Sequence, residues 1–174
     1  GMKAEIRCVE KNTFRTVVEI CHEMMVPSGM GEELQRQREM CIDPYTRVAN
    51  RSKELVPMEV KTVLTLEKSG KGLRVATTIC NQAKEHRVRV VMPTGLNTSM
   101  HLADSAFEVV KRNNRHNDTW TNPCGCERQQ CFAAMEDETN GLLVANRGLY
   151  EYEVLADEEN AIAVTLLRSV AEMG

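Results

Sequence analysis

Apolar and polar residues alternate with a period of two along most of the chain. Ala4, Ile6 and Cys8 alternate with Glu5, Arg7 and Val9, and Thr16 to Val26 repeats the pattern with Val18, Ile20, Met24 and Val26 on one side. Both read as strands with one face buried. The clearest local unit follows: Val60, Thr62, Leu64 and Leu66 alternate, Ser69-Gly70-Lys71-Gly72 turns, and Leu73, Val75, Thr77 and Ile79 alternate again, which predicts a β-hairpin. Val88, Val90 and Met92 make a further strand that Pro93-Thr94-Gly95 ends, so a polar loop holding Asn97, Thr98, Ser99, His101 and Asp104 is expected next. Short apolar pieces recur at Phe107 to Val110, Cys131 to Met135, Leu142 to Ala145 and Tyr150 to Val154, with Asn140-Gly141 as a hairpin turn. Ala161 to Leu167 is apolar on both faces, like a central strand covered on two sides.

Two stretches resist the pattern. Glu32 to Ile42 has the Glu, Gln and Arg content of a helix, yet Leu34, Met40 and Ile42 also fit alternation, and strand is the reading adopted. Residues 113–130 are polar and aperiodic and predict a long loop. Short strands at regular spacing indicate an all-β fold, an antiparallel β-sandwich, over a single domain at 2–174, with Gly1 ahead of Met2 read as a tag remnant.

Composition narrows the function classes. With 22 basic against 25 acidic residues and a net charge of −3, no polycationic patch suits nucleic acid. No apolar run reaches the ~18 residues a membrane span needs, and the N-terminus carries no signal-peptide core, so a cytoplasmic protein is expected. Seven cysteines, mostly within strand patterns, do not form a disulfide framework.

Candidate chemistry is sparse. Cys124, Cys126 and Cys131 with His116 upstream could close a tetrahedral zinc site, but a C-x-C pair chelates one metal poorly and an incidental set of loop thiols competes, with Cys131 expected to face a core. His101 and Asp104 are candidates for the rim of a ligand site. Asp104 and Asp137 could pair as glycosidase carboxylates, though nothing in the sequence brings them to the separation of about 5–9 Å that such a mechanism requires, and turn-capping is the competing role. Neither a phosphate loop nor a nucleophile elbow is present.

Four blocks carry a family resemblance: HRVRVVMPTGLNT, LADSAFEVVKR, ANRGLYEYEVL and IAVTLLRSV, in that order and spacing. Together with the hairpin from Val60 to Asn81 and the link NQAKEH, they resemble the C-terminal β-sandwich region of glycoside hydrolase family 38, the α-mannosidases. Ala106, Tyr150 and Met92 depart from the family's usual residues at packing or turn positions. The resemblance implies a supersandwich-like fold, and it implies that the nucleophilic Asp and the Asp/His zinc ligands lie in an N-terminal catalytic domain. It therefore assigns no catalytic residue and no cofactor to this chain, and implies that the chain alone does not hydrolyse α-mannosides. The expected partner is that catalytic domain, on the same or a separate polypeptide, with homodimerisation through an exposed strand edge as a further expectation. A stand-alone carbohydrate-binding or structural module is the alternative, weakened by an aromatic content of 4% with Trp120 alone in the long loop.

Overall fold

In the computed structural model, residues 3–48, 50–115, 119, 124–156 and 159–169 are described. Among them the chain is nearly all β, with twelve strands in three four-stranded sheets and one short α-helix. It divides into two compact units, with the division at His86.

The first unit is one antiparallel sheet taken in chain order: β1 (Lys3–Lys11), β2 (Arg15–Pro27), β3 (Leu55–Glu67) and β4 (Leu73–Cys80). Register follows the alternation. Ile6 faces Ile20, Ile20 faces Thr62 and Thr62 faces Thr77, while one residue along Arg7 faces Glu19 and Glu19 faces Val63. Directly opposed residues share a sheet face, so one face is apolar and the other charged. The turn from β1 to β2 is closed by the Asn12 carboxamide, whose oxygen accepts from the backbone N–H groups of Phe14 at 2.8 Å and Arg15 at 2.9 Å. Buried apolar side chains are few here: Leu34, Met58 and Ala83.

Between β2 and β3 lies α1 (Glu32–Glu39), where a strand was expected. The helix wins because its charges suit the backbone. Glu32 and Glu33 occupy the first turn and Arg36 and Arg38 the last, complementing the helix dipole, and Glu33 accepts from Gln37 at 2.7 Å one turn on. Leu34 and Gln37 point inward. Cys41, expected in a strand pattern, sits past the helix end with φ 54°.

The second unit is a β-sandwich. One sheet runs in the order β10 (Gly141–Ala145), β9 (Phe132–Glu136), β6 (Met100–Asp104), β7 (Val109–Asn113); the other runs β5 (His86–Pro93), β12 (Ala161–Ser169), β11 (Glu151–Leu155), β8 (Cys126–Arg128). Ala103, Ala133 and Met135 from the first sheet meet Tyr152, Ile162 and Val164 from the second in one buried cluster, with Val90, Met92, Leu142, Val144 and Val154 packed around it. β12 is an inner strand, as its two-sided apolar pattern predicts. Gly95 breaks the β5 ladder with φ 64°, a backbone conformation that favours glycine.

Three expectations are corrected. His101 and Asp104 belong to β6, because the polar loop after Pro93 ends at Ser99 and alternation resumes. The stretch 113–130 holds the end of β7 and the short strand β8, which pairs with β11 through Arg128–Glu151, Glu127–Tyr152 and Cys126–Glu153. Cys131 is exposed just outside β9 and does not face the core.

Candidate functional site

Of the polar residues singled out in the sequence, His101 lies in a buried network of the second unit, beneath a polar cleft. His101 is only 2% exposed. Burying an imidazole requires partners for both nitrogens. Nδ1 lies 3.0 Å from Asn114 Oδ1 and Nε2 lies 2.8 Å from the Tyr152 hydroxyl, while the two rings meet edge-on with centroids 5.5 Å apart. The Tyr152 hydroxyl also accepts from Arg112 at 2.8 Å and lies 3.3 Å from Glu127 Oε2, and Arg112 Nε pairs with that carboxylate at 2.8 Å. Burial, with the nearby Glu127 carboxylate and against the Arg112 charge, pushes the Tyr152 phenol up to about 12. It is a neutral, fixed group. The network orients side chains; among its atoms none is a free acid or base facing solvent.

Asn114 carries the network outward. Its Nδ2 donates to the Thr98 carbonyl at 2.8 Å, and Asn160, itself at φ 48°, donates to the Leu96 and Thr98 carbonyls at 3.0 Å each. These amides pin the 94–99 loop as one wall of a cleft of about 370 Å³ lined by Asn97, Thr98, Ser99, Asn113, Arg115 and Asn160 among others. Amides, hydroxyls and one guanidinium can hydrogen-bond a hydroxylated ligand, and the described lining includes no carboxylate or imidazole that would activate the Thr98 or Ser99 hydroxyl.

Asp104 serves backbone as the competing reading had it, but from the end of a strand and not within its own turn. Its carboxylate accepts the backbone N–H groups of Gln130 at 2.9 Å, Cys131 at 2.8 Å and Phe132 at 3.0 Å, fixing the entry to β9. Partial burial raises its pKa, but those three donors outweigh it and hold the carboxyl below its ordinary range. Asp137 likewise caps the 137–140 turn, accepting from Thr139 at 2.9 Å and Asn140 at 2.8 Å. Both carboxylates are committed to backbone.

The thiols are dispersed in role. Cys126 contacts the Arg87 guanidinium, and burial together with the Cys124 thiol raises its pKa. Arg87 and Arg89 bind Glu153, Arg87 reaches Glu151 at 3.3 Å, and Glu151 also takes Arg168 and the Thr165 hydroxyl. Gly125 owes its place to this ladder, since a Cβ there would stand 2.7 Å from Glu153 Oε1. His116 and Trp120 lie outside the described residues. Among those described, no group of three or more His, Cys, Asp or Glu side chains could hold a metal ion, so Cys124, Cys126 and Cys131 do not fit a zinc site by themselves. No helix among them is long and apolar enough to cross a membrane. Sequence reading missed Arg112, Asn114, Glu127, Tyr152 and Asn160, whose pairings span up to 64 positions; only Tyr152, on the apolar side of an alternating strand, hinted at them.

Among the described residues of the second unit, the conspicuous polar groups hold strands and loops in a β-sandwich. The model of the glycosyl hydrolases family 38 C-terminal domain matches residues 5–172, and the chain belongs to that family. It is 40% identical over 172 residues to a protein of Halalkalibacterium halodurans named "Putative mannosylglycerate hydrolase", covering 99% of this chain and 19% of the relative. Among solved structures it superimposes on an alpha-mannosidase from Enterococcus faecalis V583 with a TM-score of 0.92 and 41% identity, and on a family 38 glycosyl hydrolase of the same species with 0.88 and 39%. Each match covers 99% of this chain, and 19% and 20% of those structures. The chain thus spans about a fifth of the relatives it matches.

Proposed function

We propose that the chain serves as the C-terminal β-sandwich portion of an α-mannoside hydrolase whose catalytic groups, with the family's zinc, reside in a separate region. The observation that carries this is the whole-chain likeness to hydrolases that are about five times longer. The geometry supports it, because the conspicuous polar residues hold backbone or one another. Its work in that setting is to buttress the catalytic region, with the Asn97–Ser99 wall at a pocket rim. Free, solvent-exposed thiols at Cys8, Cys41 and Cys80 suit a reducing compartment and support a cytoplasmic location. The test is hydrolysis of an aryl α-mannoside with added zinc. The chain alone is expected to be inactive, and a chimera of the Halalkalibacterium halodurans protein, with this chain in place of its matching stretch, is expected to be active. Zinc-dependent turnover by the isolated chain, or an inactive folded chimera, would sink the reading.

A carbohydrate-binding module is the second reading, favoured by the amide-lined cleft at Asn97, Asn113 and Asn160. Calorimetric titration with mannose and mannosylglycerate decides it. Saturable binding to the isolated chain, lost in Asn113→Ala, would favour the module.

A further inference from the structure

Toward the β1–β2 and β3–β4 turns, the first unit's sheet has an apolar face that is exposed, while Met58 at its other end is buried. Register places Ile6, Val18, Ile20, Leu64, Leu66, Leu73 and Val75 on the same side of four adjacent strands, and Ile6 is 67% exposed, Leu66 54%, Leu73 53% and Val75 49%. The opposite side carries Glu5, Arg7, Glu19, Lys61 and Arg74, with Glu19 paired to both Arg7 and Lys61. That charged side suits water and the apolar side does not.

We infer that this apolar face is the surface on which the rest of the family's hydrolase polypeptide packs, the covering layer being an apolar surface of the region outside the stretch matched here. The inference rests on the proposed function and adds to it the site of contact. Size decides between occupants. Four strands of 9, 13, 13 and 8 residues, at about 4.8 Å spacing and about 3.3 Å rise per residue, present roughly 700 Å². A stable complex between separate chains buries about 800 Å² on each partner, so a second copy stacked on this face alone falls short. A layer belonging to the same large polypeptide does not need that area, because linkage supplies a high effective concentration. The relatives have four fifths of their length beyond the matched stretch from which to draw that layer.

Two native thiols report on the face without any substitution. Cys8 is exposed and opposes Val18 on the apolar side, and Cys80 is exposed and opposes Glu59 on the charged side. The experiment compares iodoacetamide labelling of both, by peptide mass spectrometry, in the isolated chain and in the full-length chimera. Cys8 labelling is expected to slow at least tenfold in the chimera while Cys80 changes less than twofold. Equal Cys8 rates in the two proteins would overturn the inference while leaving the proposed function to the chimera's activity. Cys8 protection that grows with the concentration of the isolated chain would also overturn it, by naming a second copy as the occupant. Independently of the chimera, the triple variant Ile6→Thr, Leu66→Thr, Val75→Thr of the isolated chain is expected to keep its melting midpoint and to bind less of an apolar dye. Loss of its folded state would show the face already covered within the chain and overturn the inference.

Discussion

The two units use the same strand chemistry to opposite ends. In the second, two sheets close over Tyr152, Ile162, Val164, Ala103, Ala133 and Met135, each at most 2% exposed. In the first, a sheet with longer strands buries, among its described apolar side chains, only Met58, and leaves Ile6, Leu66, Leu73 and Val75 in solvent. Hydrophobic alternation dictates that a strand has an apolar side; it does not dictate that the same chain covers it. The sandwich covers its apolar sides within the unit, and the open sheet leaves part of its own exposed.

The comparison breaks most readily in the sandwich core. Ile162→Ala leaves a cavity at a fully buried site and is expected to cost about 2–5 kcal/mol, read as a lower denaturation midpoint for the second unit. Next is Tyr152→Phe, which keeps the ring and removes the hydroxyl shared by His101, Arg112 and Glu127. About 1–3 kcal/mol should be lost, and a neutral result in urea titration would show the network to be dispensable. The same hydroxyl predicts a pH effect. Its folded-state pKa of about 12 lies above the ordinary value near 10, so its contribution to stability is complete below about pH 10 and declines as pH rises through about 12. Spectrophotometric titration should therefore find a tyrosine that ionises at about pH 12.

Asp104→Ala is expected to be milder, about 1 kcal/mol by analogy with a capping carboxylate, with faster hydrogen exchange at Gln130 to Phe132. Because its pKa is depressed, that contribution is present above the ordinary carboxylate range and lost as pH falls through the folded-state value. The smallest effect belongs to the open sheet. Val75→Thr in the isolated chain should change stability by less than about 0.5 kcal/mol, and a loss comparable to that of Ile162→Ala would erase the contrast between the units.

How much of this was legible follows from how local each cause is. The β3–β4 hairpin was readable because Leu64, Leu66, Leu73 and Val75 alternate around Ser69-Gly70-Lys71-Gly72, all within one short stretch. Membership of family 38 was readable from ordered blocks, which keep their identity however the chain folds. The capping role of Asp137 was foreseen as the competing reading because Asp in a turn has a short-range use, whereas Asp104 holds backbone 26 to 28 positions away, out of reach of a local reading. α1 was missed because Leu34, Met40 and Ile42 fit alternation, although the last two lie past the helix, and what decides for helix is charge placed along the dipole. β8 was missed because three residues cannot display a period; its partner strand β11 defines it. His101 looked like a surface group because imidazole is polar, yet the groups that make its burial tolerable, Asn114 and Tyr152, lie 13 and 51 positions away. Single-sequence reasoning sees a polar residue before it sees what that residue will be bonded to.

Strand order carries a consequence for synthesis on the ribosome. The first unit's strands pair in the order in which they emerge, β1 with β2, β2 with β3 and β3 with β4, so each hairpin can zip up as soon as it leaves the exit tunnel. In the second unit β5 neighbours β12, with six strands translated between them. Until the stretch around Ile162 has been made, β5 waits with its partner side bare and the sandwich lacks the strand that fills its middle. The nascent chain thus spends its longest vulnerable interval with the better-packed half unfinished, and stalled or shortened products ending before Ala161 should be the species that aggregate or recruit chaperones.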